Sequence, residues 1–276
     1  MKTQKEKSED FAQLHSKGSC FVIPNPWDVG SARLLEHLGF KALATTGAGY
    51  AFSQGKSDFS INARGMLNHL AELSQATALP VSADLQNGFG DSPEDAANTI
   101  LAAAKAGVVG GSLEDASGDP HAPIYDIGLA TDRIRNAAQA ARSLDFKFTL
   151  TARAENYLYG RPDVKDTIRR LQAYQEAGAD VLFAPGITSK GDIRAIVSSV
   201  DKPVSIIMGF QGVQLTVAEL QDLGVARISL GGSLARAAYG ALVRAALEVQ
   251  STGTFGYTND AISGKEINGI FSKLAV

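Results

Sequence analysis

The chain has 276 residues, of which 26 are Lys or Arg and 29 are Asp or Glu, and its formal net charge is −3. With 45% apolar residues and no clustered basic stripe, this is the composition of a weakly acidic globular protein, and it argues against a nucleic-acid-binding surface. We expect a cytoplasmic protein without a membrane span, a secretory signal or, with one cysteine, an internal disulfide. The composition is compatible with a small anionic ligand.

A repeated junction of helix to strand organises the chain. In four places an apolar helical segment ends at a glycine, where the left-handed conformation has no steric cost, and a short apolar strand follows. These glycines are Gly39, Gly107, Gly178 and Gly224. The pattern predicts eight strands in chain order, at Phe21–Pro24, Ala42–Thr45, Val81–Asp84, Gly110–Glu114, Lys147–Ala152, Val181–Ala184, Val204–Ile207 and Arg227–Leu230.

Helix-start signals separate the strands. Ser92 with Pro93 marks one start, Thr216 with Glu219 forms a capping box, and a long helix is predicted from Ser233. Apolar strands alternating with helices indicate a parallel sheet, and eight such units favour a single (β/α)8 barrel over residues 1–276, with a helical tail from about 254. An open doubly wound sheet is the alternative, although no GxGxxG follows the first strand.

Polar residues follow the strands at the end where barrel enzymes build their active sites. Converging carboxylates without nearby cysteine or histidine favour Mg²⁺, and an arginine among them suits a substrate carboxylate. The strand-end residues are Asp28, Thr45, Thr46, Gly47, Asp84, Gln86, Glu114, Asp115, Arg153 and Glu155.

Several of these residues have simpler structural interpretations. Asp28 precedes a helix and can serve as its cap, Asp84 can belong to a turn, and Arg153 can be an ion-pair partner of Glu114 or Glu155. Among the four histidines, only His121 falls in a predicted loop at the active face.

Five segments, VIPNPWDVGSARLLEHLGFKALATTGAG, PVSADLQNGFGD, GGSLED, LTARAENYL and YQEAGADVLFAPG, resemble the isocitrate lyase and phosphoenolpyruvate mutase superfamily in the same order. The resemblance covers about residues 21–236. It implies a barrel whose eighth helix is exchanged between subunits, a dimer of dimers, and Mg²⁺-dependent cleavage or formation of a C–C or P–C bond beside a 2-oxo acid, through an enolate. Mn²⁺ is an alternative metal.

The resemblance also implies roles for individual residues. Asp84 matches the principal metal ligand, with Gln86 and Glu114 as further metal positions, several of them acting through water. Arg153 matches the substrate-carboxylate arginine, and Thr46 with Gly47 matches the loop whose amides hold the substrate. Asp58 matches an acidic residue that reaches into the site, with a catalytic role.

Two departures limit the inference. The family usually has a second carboxylate where this chain has Gln86, so the metal site loses a charge. The loop after the fourth strand, residues 116–123, has neither the Lys-Lys-Cys-Gly-His motif of the isocitrate lyases nor the lysine and asparagine of the phosphonomutases. His121 is the one candidate for proton transfer there, and a plain gating loop is the alternative.

The sequence therefore predicts a Mg²⁺-dependent lyase or hydrolase that cleaves a C–C bond of a small 2-oxo or 2-hydroxy dicarboxylate, resembling an oxaloacetate decarboxylase or a 2-alkylmalate lyase. One alternative is a phosphonomutase or phosphonopyruvate hydrolase. Another is a non-catalytic protein that binds 2-oxo acids, with the pocket kept and the catalytic general acid lost.

Overall fold

Eight short strands alternate with helices in the computed structural model, which describes residues 2–273. The strands are β1 (Phe21–Ile23), β2 (Leu43–Ala44), β3 (Val81–Asp84), β4 (Gly110–Glu114), β5 (Thr149–Arg153), β6 (Val181–Phe183), β7 (Val204–Ile207) and β8 (Arg227–Ser229). The helices are α1 (Gln4–Leu14), α2 (Val29–His37), α3 (Gly47–Ser53), α4 (Ala63–Ala76), α5 (Pro93–Lys105), α6 (Ile127–Arg142), α7 (Val164–Ala177), α8 (Lys190–Ser198), α9 (Val217–Asp222), α10 (Ser233–Thr252) and α11 (Gly264–Lys273), with a 3₁₀ turn at Gly256–Asn259.

All eight strands run parallel in one sheet, in the order β1-β8-β7-β6-β5-β4-β3-β2. Between β1 and β2, the Ala44 amide donates to the Pro24 carbonyl at 3.0 Å, so the sheet curls into a nearly closed barrel. The predicted (β/α)8 class is confirmed, and each predicted strand lies within two residues of an observed one.

Strand β5 differs most from its predicted range of Lys147–Ala152. Its ladder with β4 begins where Thr149 faces Gly110 and ends where Arg153 faces Glu114. The Lys147 ammonium instead pairs with Asp180 outside the ladder. The shift is important because it puts Arg153 on the last rung, beside a carboxylate of the neighbouring strand.

The four junction glycines adopt the positive φ that the sequence predicts, between 84° and 109°. The Ser92 and Thr216 capping boxes also form, at the starts of α5 and α9. Helix ends fixed in this way set where each following strand begins. The polar ends of β3, β4 and β5 are thereby brought to one face of the barrel.

Helix α1 covers the opposite end of the barrel. The Phe11 ring is fully buried there, and a Cβ on Gly110 would lie only 2.8 Å from it, so this rung of β4 requires glycine. Among residues 2–273 the structure contains no helix long and apolar enough to cross a membrane. Closure by α1 leaves access to the barrel interior from the carboxyl ends of the strands.

Candidate active site

A cavity of about 180 Å³ opens among the carboxyl ends of the strands and continues into the barrel interior. It is smaller than the roughly 300–1,000 Å³ typical of pockets for drug-sized ligands, so it suits a small acid. Seven of the predicted strand-end and loop residues line it. They are Thr45, Thr46, Asp58, Asp84, Gln86, Glu114 and Arg153.

Asp84 ends β3 and is held from three sides. Its Oδ2 accepts from the Gly47 amide at 2.8 Å, its Oδ1 accepts from Arg153 Nη1 at 3.1 Å, and its own amide donates to Thr45 Oγ1 at 2.8 Å. A Cβ on Gly47 would lie 3.3 Å from Asp84 Oδ2, which makes the approach of the loop to the carboxylate tight. The carboxylate is therefore fixed in direction by its neighbours.

Arg153 is the centre of a buried ionic cluster. Besides Asp84, it pairs with Glu114 Oε2 at 3.0 Å and Glu155 Oε1 at 2.8 Å. Three carboxylates thus surround one guanidinium, and the fully ionised cluster has two uncompensated negative charges. The ion-pair interpretation of Arg153 is correct, and it does not compete with a functional role, because the same guanidinium lines the cavity.

Glu114 is the most strongly perturbed member of this cluster. Burial raises the pKa of its carboxyl well above 4.5, against the opposing effect of Arg153. Burial likewise raises the pKa of Glu155. Within residues 2–273, Glu114 Oε1 has no hydrogen-bond partner. A proton, which the raised pKa favours, or a nearby cation stabilises a buried carboxyl group left in this state.

Gln86 lies two residues after Asp84 in a strained backbone conformation. Its φ of 50° is left-handed, which is uncommon for a residue with a side chain and recurs at functional sites. Its amide nitrogen Nε2 is buried and has no partner among residues 2–273. Because amide oxygen and nitrogen are interchangeable by a flip of the side chain, this position can offer an oxygen to the cavity.

These donors fit a magnesium ion. Within the described part of the chain, no three Asp, Glu, His or Cys side chains form a complete metal cage. Mg²⁺ does not need such a cage, because it keeps several waters and binds through one or two carboxylates plus its substrate. Asp84 and Glu114 offer those oxygens, and a divalent cation would neutralise the two excess negative charges.

The loop after β2 forms one wall of the site. Thr46 lines the cavity and caps α3, its Oγ1 accepting from the Gly49 amide at 3.2 Å. Asp58 lies at the mouth and is solvent-exposed as a residue, yet partial desolvation of its carboxyl raises the pKa above 3.8. An acid in that position can exchange protons with a bound ligand and with bulk water.

Two predicted candidates lie apart from this cluster. His121 is exposed on the loop after β4 and does not line the cavity, and its amide donates to Asp119 Oδ1 at 2.8 Å. A catalytic role for His121 therefore stays a prediction that requires the loop to move. Asp28 caps α2 by accepting from the Ser31 amide at 2.7 Å, which is the structural interpretation of that residue.

The structure adds residues that the strand-end search did not select. Asn25 follows β1 and joins β8 to the site, because its Oδ1 accepts from Ser229 Oγ at 3.1 Å. Arg227, the first residue of β8, also lines the cavity. The signal available in the sequence is a charged residue at the first position of a predicted barrel strand. Asp115 instead has a structural place below the site, bound to Arg170 at 3.0 Å and to the Tyr174 hydroxyl at 2.6 Å.

Known proteins resemble this chain in sequence and in fold. The phosphoenolpyruvate phosphomutase family model matches residues 11–250. The chain is 31% identical over 209 residues to 2-methylisocitrate lyase of Escherichia coli strain K12, covering 69% of each protein.

Solved structures extend the comparison over nearly the whole chain. A Burkholderia cenocepacia J2315 protein provisionally described as a lyase/mutase is 55% identical, with a TM-score of 0.95 over 98% of this chain and 96% of that one. An oxaloacetate acetylhydrolase in complex with the inhibitor 3,3-difluorooxalacetate is 26% identical, with a TM-score of 0.86 over 98% and 94%. The chain belongs to the phosphoenolpyruvate mutase/isocitrate lyase superfamily.

Proposed function

We propose that this protein is a Mg²⁺-dependent lyase or hydrolase that cleaves a C–C bond of a small 2-oxo or 2-hydroxy dicarboxylate through an enolate. The observation that carries the proposal is the cluster of Asp84, Glu114 and Arg153 on the wall of a small cavity. Oxygen donors with excess negative charge suit a hard divalent cation, and the neighbouring guanidinium suits a carboxylate.

Asp84 and Glu114 would hold Mg²⁺, and Gln86 would contact the metal through a water. Mn²⁺ could take the place of Mg²⁺. When bound, the metal supplies Lewis acidity that stabilises negative charge developing on the 2-oxygen of the substrate. The Gly47 amide fixes the direction of Asp84 in advance. Such preorganisation is effective because it requires no rearrangement during the reaction.

The chain's other residues bind the substrate and move protons. Arg153 would pair with the carboxylate beside the 2-oxygen, and the loop at Thr46 and Gly47 would enclose that end. Asp58 at the mouth would accept the hydroxyl proton of a 2-hydroxy acid. A decarboxylation requires least from the loop at residues 116–123, because CO₂ leaves without a general acid.

The loop at residues 116–123 disfavours P–C chemistry, because it contains neither lysine nor asparagine. The substitution of a carboxylate by Gln86 favours one other candidate function, a non-catalytic binder of 2-oxo acids. Thermal unfolding of the protein with malate, oxaloacetate, pyruvate and phosphonopyruvate, each with Mg²⁺ or with EDTA, tests the proposal. We expect Mg²⁺-dependent stabilisation by the dicarboxylates accompanied by turnover. Stabilisation without turnover of any acid would favour the binder.

Gln86→Glu is expected to tighten Mg²⁺ binding. A carboxylate here restores a negative charge beside Asp84 and Glu114, and we expect a gain of about 1–3 kcal/mol at an intermediate effective dielectric. Calorimetric titration of Mg²⁺ measures it. Gln139→Glu, on the exposed surface of α6, adds the same charge away from the cavity and should have no effect. Equal or weaker Mg²⁺ affinity in the Gln86 variant would remove Gln86 from the metal site.

The exposed apolar surface of α10, the helix after β8, supports the exchange of a helix between subunits that the family resemblance implies. Considering only cover from residues 2–273, Ala235 is the one buried residue among the 20 of α10. Leu242, Val243 and Leu247 are 63%, 55% and 54% exposed. In a closed barrel the helix after β8 normally covers the sheet, so this apolar helix calls for a partner subunit. We propose that paired subunits exchange it and form a dimer of dimers.

Light scattering tests this assembly. We expect a tetramer, or at least a dimer, and weaker assembly in Leu242→Glu with Leu247→Glu and in a chain ending after Gly253. Leu101→Glu introduces the same charge on α5, where the residue is 41% exposed, and should leave the mass unchanged. A stable wild-type monomer at micromolar concentration would contradict the exchange and leave the proposed chemistry standing.

A further inference from the structure

Arg227 is a buried arginine inside the barrel that the proposed chemistry does not yet use. It is 4% exposed and lines the same cavity as Arg153. Its Nε donates to Ser205 Oγ at 3.0 Å, and its Nη1 lies 3.5 Å from His15 Nε2. Burial lowers the pKa of His15 to about 3, so this imidazole is neutral at pH 7 and adds no second positive charge beside the guanidinium. Histidine carries no negative charge in either protonation state, so it cannot compensate Arg227.

No carboxylate compensates Arg227 among residues 2–273. Arg153 and Arg170 pair with carboxylates, and Arg133 makes three hydrogen bonds to backbone carbonyls. Burial, followed by the charge of Arg153, lowers the pKa of Arg227 to about 9, which still leaves it cationic at neutral pH. A buried charge without a partner is costly, so the site is incomplete without an anion.

The cavity that Arg227 lines is partly polar, where a barrel core is usually packed with branched aliphatic side chains. Ser82, Ser112 and Ser229 line the cavity, and small hydroxyl side chains leave room for a ligand. On β5, Thr149 and Thr151 alternate onto the same face as Arg153, and their hydroxyl oxygens have no partner among residues 2–273. The barrel interior therefore offers polar groups and a cavity to a polar ligand, and it is not filled by apolar side chains.

We infer that Arg227 is a second anion-binding group, which receives the carboxylate of the substrate farthest from the 2-oxygen. The inference rests on the proposed function and narrows its substrate class to dianionic acids. Arg153 and the metal ligands would hold the 2-oxygen end near the mouth, while Arg227 would hold the other end from deeper in the barrel. A monocarboxylic acid would leave the deeper arginine unpaired.

Malate and lactate test this role, because both are 2-hydroxy acids and malate has one more carboxylate. Calorimetry with Mg²⁺ present should show that the wild type binds malate at least about tenfold more tightly than lactate. Arg227→Gln should lose that preference while lactate affinity changes less than about threefold, because a buried charge pair is removed at the malate end only. Arg227→Lys keeps the charge and should retain part of the preference.

Arg142→Gln is the matched control on an exposed helix end, and it should leave the preference intact. Equal wild-type affinity for the two acids would overturn the assignment. It would also be overturned if Arg227→Gln kept the malate preference and only melted at a lower temperature, since Arg227 would then be a structural part of the barrel floor. If neither acid bound the wild type in the presence of Mg²⁺, the proposed function would fail together with the inference.

Discussion

Asp84→Ala is expected to weaken Mg²⁺ binding by at least about 100-fold, measured by calorimetry in the presence of malate. The change removes the carboxylate proposed as the principal ligand, and mutation even of the groups that support a ligand costs 10- to 100-fold in affinity. It also frees the Gly47 amide and one side of the Arg153 guanidinium. The fold should persist, because Asp84 sits at a strand end and fills no apolar core.

Asp84→Asn separates charge from shape. The amide keeps the size of the side chain and an acceptor for Gly47, so the loop should stay in place while the metal is still lost. Asp132→Ala removes an exposed carboxylate on α6 and should leave the Mg²⁺ affinity unchanged. Wild-type Mg²⁺ affinity in both Asp84 variants would refute the metal assignment.

Arg153→Gln is expected to reduce the free energy of unfolding by about 3–5 kcal/mol and to abolish ligand binding. The change leaves Glu114 and Glu155 buried without their cation, which costs far more than losing a surface pair. The matched variant Arg135→Gln breaks an exposed ion pair with Asp132 and should cost no more than about 1 kcal/mol. Urea unfolding followed by circular dichroism measures both changes.

The pH dependence of the Arg153 variant has a definite sign. Burial already raises the pKa values of Glu114 and Glu155 in the folded protein, and loss of the neighbouring guanidinium raises them further. At these two groups the native variant then binds more protons than the native wild type, so the cost of the substitution should be smallest in acid and grow as the pH rises through the folded pKa values. A cost below about 1 kcal/mol at pH 7, or a cost that shrinks as the pH rises over this range, would contradict the buried cluster.

Much of the fold and part of the site are readable from the sequence, for a physical reason. Apolar runs between glycines fix the strands, and parallel strands bring their carboxyl ends to one face. That rule includes Asp84, Glu114 and Arg153 among the strand-end candidates, but it also includes Asp28 and Asp115, which have structural places. It does not show that one guanidinium holds three carboxylates, because this depends on the register that pairs Glu114 with Arg153.

Other features depend on contacts that no local pattern encodes. The sequence Asn87-Gly88 indicates a turn after β3, but it does not indicate that Gln86, a residue with a long side chain, adopts the positive φ. Arg227 begins a strand, where a charge is usually taken for an exposed end, and its burial follows from neighbours distant in the chain such as His15 and Ser205. The exposure of α10 is also not a local property, because it depends on which segments pack against the helix, and we propose that a second subunit does so.

The most direct test of the central claim is an NMR time course of the wild-type protein with malate, oxaloacetate and phosphonopyruvate, in Mg²⁺ and in EDTA. We expect the proton spectrum to show a C–C cleavage product from a dicarboxylate faster than in protein-free Mg²⁺ controls. In EDTA, and with the Asp84→Ala variant, we expect product to form no faster than in the matching protein-free controls. Release of inorganic phosphate from phosphonopyruvate in the phosphorus spectrum, or Mg²⁺-dependent binding of the dicarboxylates without any product, would contradict the proposed C–C cleavage.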